Sequence, residues 1–163
     1  MGFFLTEEKI NKGIKLDIGC GDKLQEGWYG IDKGFYGSSK FPNFVKRNLE
    51  DIPWPLPDNC VIELKASHIL EHICPKRIID IFNEIHRVCK DKAIVKISVP
   101  LGGTDAFVQD PTHCCSFNRK TFEYFDPEFP FYYNIYRSLP FKLLGIKNIT
   151  PETIYVELRV IKE

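Results

Sequence analysis

Short apolar runs alternate along this chain with polar, glycine-bearing stretches. GIKLDIG at 13–19 is an apolar run bounded by glycines and predicts a buried strand. WYGID at 28–32 predicts a second strand, and FVKRNL at 44–49 a weaker third. DIPWPLPDN, residues 51–59, holds three prolines in nine residues and predicts an extended loop. CVIELKAS at 60–67 and AIVKISVP at 93–100 predict a fourth and a fifth strand, the latter stopped by Pro100. PKRIIDIFNEIHRVCK, residues 75–90, has another rhythm. Ile78, Phe82, Ile85 and Cys89 recur at spacings of three and four, which predicts an amphipathic helix with Pro75 in its first turn. NRKTFEYF at 118–125 predicts a short helix capped by Asn118. FKLLGIKNI and TIYVELRVIK read as a terminal hairpin turning at Thr150 and Pro151.

Strands alternating with helical segments imply an α/β fold with a parallel, doubly wound sheet, and the hairpin adds an antiparallel strand at one edge. No repeat or linker divides the sequence, so residues 1–163 are expected to form a single domain. In such sheets ligands bind beyond the carboxyl ends of the strands, where strand order reverses. The glycine turn after the first strand belongs there.

Composition narrows the class. Of 163 residues, 44% are hydrophobic and 27% charged, which describes a soluble globular chain. The 22 basic side chains are balanced by 22 acidic ones, so the basic footprint of a nucleic-acid binder is missing. No apolar run reaches membrane-spanning length and no export signal opens the sequence. Six cysteines without a CxxC spacing then read as reduced thiols in a cytoplasmic protein. The opening MGFFLT fits the myristoylation pattern through Gly2 and Thr6; the alternative is an ordinary N-terminus whose Phe3, Phe4 and Leu5 pack on the domain.

The stretch KLDIGCGDKLQEGWYGID, residues 15–32, carries the candidate chemistry. A dinucleotide site needs G-x-G-x-x-G, but Leu24 stands at the third position. Asp17, just before the turn, would repel a pyrophosphate. It suits a ligand that carries positive charge and no phosphate, and S-adenosylmethionine is such a molecule. Asp32 ends the second strand, where a carboxylate accepts from both ribose hydroxyls. The alternative is a tight strand turn flanked by two solvated acids.

LDIGCG, GID, NLEDIPWPLPDNCV and ASHILEHI, taken in order over residues 15–73, resemble the class I S-adenosylmethionine-dependent methyltransferases. The resemblance implies a Rossmann-like sheet of seven strands, order 3-2-1-4-5-7-6, with the last strand antiparallel. It implies that Asp17, Gly19 and Gly21, with Cys20 between the glycines, cradle the methionyl and ribose part of the cofactor. Asp32 would hold the ribose hydroxyls, Asn48 and Leu49 the adenine edge, and Ser67 and His68 the methionyl end. Lys23 replaces the family's third glycine, Asn48 its usual acid, and Ile62 an acid common in strand four. The short interval between Gly21 and Trp28 predicts a first helix of only a turn or two.

Other motifs compete. HILEH, His68 to His72, matches the H-x-x-E-H signature of inverted zinc peptidases. The bland reading has Ile69, Leu70 and Ile73 packing inward while Glu71 and His72 support loops. DPTHCCSF, residues 110–117, follows the fifth strand. His113 there is the candidate general base, oriented by Asp110; a purely structural loop, or metal binding by His-Cys-Cys, are its alternatives. Residues 117–141 hold ten of the 22 aromatics, as core, lid or substrate wall, with Tyr124, Tyr132 and Tyr133 the candidate wall.

Together these readings lead to a methyltransferase acting on a small-molecule acceptor, producing S-adenosylhomocysteine and needing no metal. A non-catalytic binding module of the same fold is the alternative. The zinc peptidase follows, and then a nicotinamide oxidoreductase, which Asp17 and Leu24 disfavour.

Overall fold

The computed structural model describes residues 5–34 and 41–162. Gly2, Phe3 and Phe4, invoked above for the N-terminus, lie outside them; Leu5 packs against the core.

Among the described residues seven strands share one sheet: β1 (Ile14–Ile18), β2 (Trp28–Asp32), β3 (Phe44–Lys46), β4 (Val61–Ser67), β5 (Cys89–Pro100), β6 (Phe141–Thr150) and β7 (Thr153–Val160). Their order is β3-β2-β1-β4-β5-β7-β6, as expected. The first five run parallel, and β7 lies antiparallel to both β5 and β6. The central strands alternate: Leu16, Ile18, Ile31, Leu64, Ala66, Val95 and Ile97 share one face and are all inaccessible to solvent, while Lys15, Asp17, Glu63, Lys65 and Lys96 point to the other and pair there as ions.

Among the described residues four α-helices accompany the sheet: α1 (Glu7–Lys12), α2 (Ile78–Val88), α3 (Asp105–Val108) and α4 (Pro130–Tyr136). α2 drives Ile81, Phe82, Ile85 and Val88 into the core. It ends one residue earlier than its spacing suggests. Cys89 leaves the helix because it pairs with Val61 at the start of β5, and the sheet ladder overrides the helical rhythm. α1 was not anticipated. Thr6 caps it and Glu7 and Glu8 occupy its first turn, but it buries no residue, so it leaves no apolar period to read. The helix expected at 118–125 is a 3-10 helix, Arg119–Phe125, and Asn118 does cap it, accepting from the backbone N–H groups of Lys120 and Thr121.

The expected turn or two of helix between β1 and β2 is missing; residues 19–27 return directly to the next strand. Reach explains this. A nine-residue helix is about 13 Å long. The five-residue strand beside which it must run back is about 17 Å long, before any chain is used in leaving and regaining the sheet.

The proline loop is fastened to α2. Arg87 spans Glu84, Asp58 and the carbonyls of Trp54 and Leu56, and buried Glu84 also accepts from the Trp54 backbone N–H. Trp54 thereby sits in the core, its indole N–H donating to the Leu49 carbonyl. Phe117, Phe122, Phe125 and Phe141 from the aromatic stretch are core as well.

Candidate functional site

The strand order reverses between β1 and β4. The loops leaving β1, β2, β3 and β4 converge there on a cavity of about 490 Å³, with Gly19, Asp32, Asn48, Leu49, His68 and Asp110 in its wall.

The glycines of the first loop have different jobs. Gly19 has φ +70°, and a Cβ placed on it would lie 2.3 Å from Ile69 Cγ1, so only glycine lets the loop after β4 close against the loop after β1. Gly21 has φ +55° and turns its N–H toward Asp32. Cys20 between them is buried, and its burial pushes the thiol up to about 12, so it stays protonated and inert.

Asp32 is 4% exposed. Its Oδ2 accepts from the Gly21 N–H at 3.0 Å and its Oδ1 from the Gly34 N–H at 2.8 Å. A carboxylate has about four acceptor sites. Two are used in fixing its orientation, and the others remain for hydroxyl donors in the cavity.

Asp17 lies differently from the sequence reading. Its carboxylate is 2.7 Å from Lys65 Nζ, delivered by the adjacent position on β4, and it is absent from the cavity wall. Burial pushes this carboxyl up, against the pull of Lys65. The acid expected to welcome a cationic ligand is thus already neutralised within the protein. Cys20, Gly21 and Ser67 also stay off the wall. Asn48 lines it, but its Oδ1 accepts from the Glu50 N–H at 3.1 Å, so the acceptor assigned to an adenine amino group is already engaged in a turn. Leu49 contributes an apolar face.

The other end of the cavity is built by the segment after β4 and the loop at 110–117. His68 follows β4 directly with a left-handed backbone, φ +52°, and a 3-10 helix, Leu70–His72, comes next. The α-helix that would align His68 and His72 for a zinc peptidase is therefore not formed. Leu70 and Ile73 are buried as expected, and so, unexpectedly, is Glu71. The Glu71 backbone carbonyl accepts from both the Cys114 and Cys115 N–H groups, at 2.9 and 3.0 Å, which stitches the two loops together. His68 Nδ1 lies 3.3 Å from Glu71 Oε1, and this carboxylate pushes the His68 imidazole above its ordinary value.

His113 is almost buried and does not line the cavity. Its Nδ1 is 2.8 Å from the Phe107 carbonyl, while Asp110 stands 3.7 Å from Nε2. The orienting partner is therefore Phe107, not Asp110. The Asp110 carboxylate instead accepts from the Thr112 hydroxyl and backbone N–H, which hold it below its usual range. Tyr124, Tyr132 and Tyr133 are likewise absent from the wall; Tyr133 donates to the Ser138 carbonyl.

Lys33, Glu50, Ile69, His72 and Thr112 also line the cavity and were not assigned there from sequence. Lys33 follows Asp32 directly and was legible by position. The pairing of Asp17 with Lys65 was not, because strand register joins residues far apart in the chain. All six cysteines are free, and among the described residues no helix is long and apolar enough to cross a membrane.

No family model matches this sequence and no curated protein is recognisably similar to it. Solved structures are similar in fold. A SAM-dependent methyltransferase from Archaeoglobus fulgidus superposes with a TM-score of 0.65 at 17% identity, over 93% of this chain and 88% of that one. The [4+2]-cyclase SpnF gives 0.63 at 12% identity, over 93% and 76%. A Burkholderia thailandensis 1,6-didemethyltoxoflavin N1-methyltransferase with bound S-adenosylhomocysteine gives 0.62 at 13%, over 91% and 71%. The chain has the fold of the class I S-adenosylmethionine-dependent methyltransferases.

Proposed function

We propose that residues 1–163 act as one S-adenosylmethionine-dependent methyltransferase domain in the cytoplasm, with a small molecule as acceptor. The observation that carries this reading is Asp32: a buried, pre-oriented carboxylate at the end of β2, with acceptor capacity left over at the cavity wall. A vicinal diol such as that of ribose satisfies it. The cavity of about 490 Å³ suits a ligand of this size, since small-molecule sites run roughly 300–1,000 Å³.

The ribose and adenine ends of the cofactor fit the residues present. Asp32 would hold the diol, and Leu49 would pack on the base, with the Asn48 amide N–H2 at the rim. The methionyl end lacks a free acid because Asp17 is paired with Lys65. S-adenosylmethionine, when bound, supplies an electrophilic methyl group on a sulfonium. The chain's part is to orient the two reactants and exclude water, which accounts for most of the rate in such transfers. His68, His72, Asp110 and Thr112 bound the end where an acceptor would enter. The balanced net charge and the size of the cavity favour a small acceptor over a nucleic acid. Free thiols and the lack of a membrane-length helix among the described residues support a reducing, aqueous compartment.

Titration calorimetry tests the reading. S-adenosylhomocysteine binds with one site per chain, and NAD, whose pyrophosphate finds no third glycine, binds far more weakly or not at all. Equal or tighter binding of NAD overturns it. The solved [4+2]-cyclase shows that this fold also hosts other chemistry. Turnover of S-adenosylmethionine with a panel of small acceptors therefore separates an enzyme from a binding module.

A further inference from the structure

Glu71 is completely buried, and neither of its carboxylate oxygens has a hydrogen-bond partner; the half-exposed His68, with Nδ1 3.3 Å from Oε1, is the ion-pair contact it has at the cavity side. A buried carboxylate left this way costs several kcal/mol unless a cation joins it. One ligand atom from each of Glu71, His72 and His113 lies within 4.8 Å of the others. The two imidazoles are turned so that each, in its neutral form, keeps a bare lone pair.

His113 Nδ1 is 2.8 Å from the Phe107 carbonyl, which only accepts, so that nitrogen carries the hydrogen and Nε2 is bare. Nε2 lies 4.0 Å from Glu71 Oε1. For His72 the argument passes through Thr112. The Thr112 hydroxyl has a single hydrogen, and it goes to Asp110 Oδ1 at 2.7 Å. Toward His72 Nδ1, at 2.9 Å, the hydroxyl must therefore accept. That nitrogen carries the hydrogen, and the lone pair is on Nε2. With both rings neutral, two imidazoles and a carboxylate thus meet as acceptors, with Asp110 Oδ2 a further acceptor 3.7 Å from His113 Nε2, and each ring is held by an outer hydrogen bond from Nδ1. Metal-ligating histidines are held in this manner.

We propose that Glu71, His72 and His113 bind one divalent first-row transition-metal ion, such as Zn²⁺, Mn²⁺ or Co²⁺. Two nitrogens and a carboxylate oxygen form a donor set that these ions accept, leaving coordination positions for water or a ligand. At bond lengths of about 2.1 Å, ligand atoms close to roughly 3.0–3.5 Å of one another, so the three groups draw in by roughly 1 Å on loading. His72 and Thr112 are also cavity wall, so the open positions face the acceptor end. There the ion would hold an acceptor through an oxygen. That last role rests on the methyltransferase reading; the site itself does not.

The test uses the full chain, stripped with a chelator, titrated with Mn²⁺ by calorimetry and with Co²⁺ by absorption. One ion per chain is expected, with a Co²⁺ spectrum free of thiolate charge-transfer bands. Glu71→Gln, which preserves the backbone bonds to the Cys114–Cys115 loop, should weaken binding at least about 100-fold. Thr112→Val removes only the outer support of His72 and should weaken it about 10-fold. Absence of binding to the native chain overturns the proposal. So does unchanged affinity in a folded Glu71→Gln variant, or a thiolate band, which would put the ion on the cysteines. S-adenosylhomocysteine binding, measured separately on the metal-free chain, reports on the methyltransferase reading alone, so the two can fail independently.

Discussion

Replacing Asp32 with asparagine changes one oxygen into an N–H2 group and removes the charge. In the native chain both oxygens are committed, Oδ2 to the Gly21 N–H at 3.0 Å and Oδ1 to the Gly34 N–H at 2.8 Å, in a residue that is 4% exposed. Whichever way the amide turns, one backbone N–H meets a donor and the other keeps a neutral acceptor in place of a charged one. Hydrogen bonds to a charged group contribute about 1.5–3 kcal/mol and neutral ones about 0.5–1.5. The sum is a loss of roughly 2.5–4.5 kcal/mol of folding stability, with the turns at Gly21 and Gly34 loosened. The bound diol loses its charged acceptor as well, which weakens S-adenosylhomocysteine by a further 10- to 100-fold or so. Urea melts give the first quantity, and calorimetry, at a urea-free temperature where the variant is folded, gives the second. An unchanged urea midpoint would refute the assigned anchoring role. Unchanged affinity in a folded variant would refute the diol assignment even if the stability loss is found.

Gly19→Ala should lower stability by more than about 1 kcal/mol, because the new methyl meets Ile69 in a left-handed backbone; a melt within 0.3 kcal/mol or so of native would contradict that close approach. Arg87→Met leaves Glu84 buried with only the Trp54 N–H, and should cost about 3 kcal/mol in urea unfolding, largely recovered when Glu84→Gln is added. His86 is buried between the Ile161 carbonyl and the Phe141 ring, and burial, with help from Lys162, holds it below its ordinary value. The unfolded chain therefore takes up the proton first, so stability falls as pH drops below about 6.5 and until the native imidazole also titrates. His68 is raised and works in the opposite sense, so the readout is the difference: His86→Gln should show a shallower loss between pH 7.5 and 5 than the native chain, and an equal slope would contradict the assignment.

Where a residue's role followed from its own neighbours in sequence, it could be read in advance. The Asn118 cap belongs here, as does the strand order, which follows once the alternation of strands and helices and the resemblance are accepted. Roles set by partners distant in sequence were hidden. Asp17 looks like a free acid until β4 brings Lys65 beside it. His113 looks paired with Asp110, three residues away, until the fold offers the Phe107 carbonyl. Glu71 reads as a loop support, which its backbone carbonyl is, but the complete burial of its side chain comes only with the fold. The absent helix after β1 was a matter of arithmetic on chain length, and the sequence contained it.

The direct return from β1 to β2 makes this point of the chain unequal toward gain and loss of residues. Deleting one or two positions from 19–27 would pull Gly19 and Gly21 out of the geometry that Ile69 and Asp32 require. Adding residues at the solvent-facing Gln25–Gly27 corner meets no such obstacle, since doubling a loop's length costs only about 0.6 kcal/mol. A dozen helix-forming residues grafted there would have the reach to lie back along the sheet. The present loop is thus a place where this scaffold can be enlarged, with the ligand-facing end of the turn left as it stands.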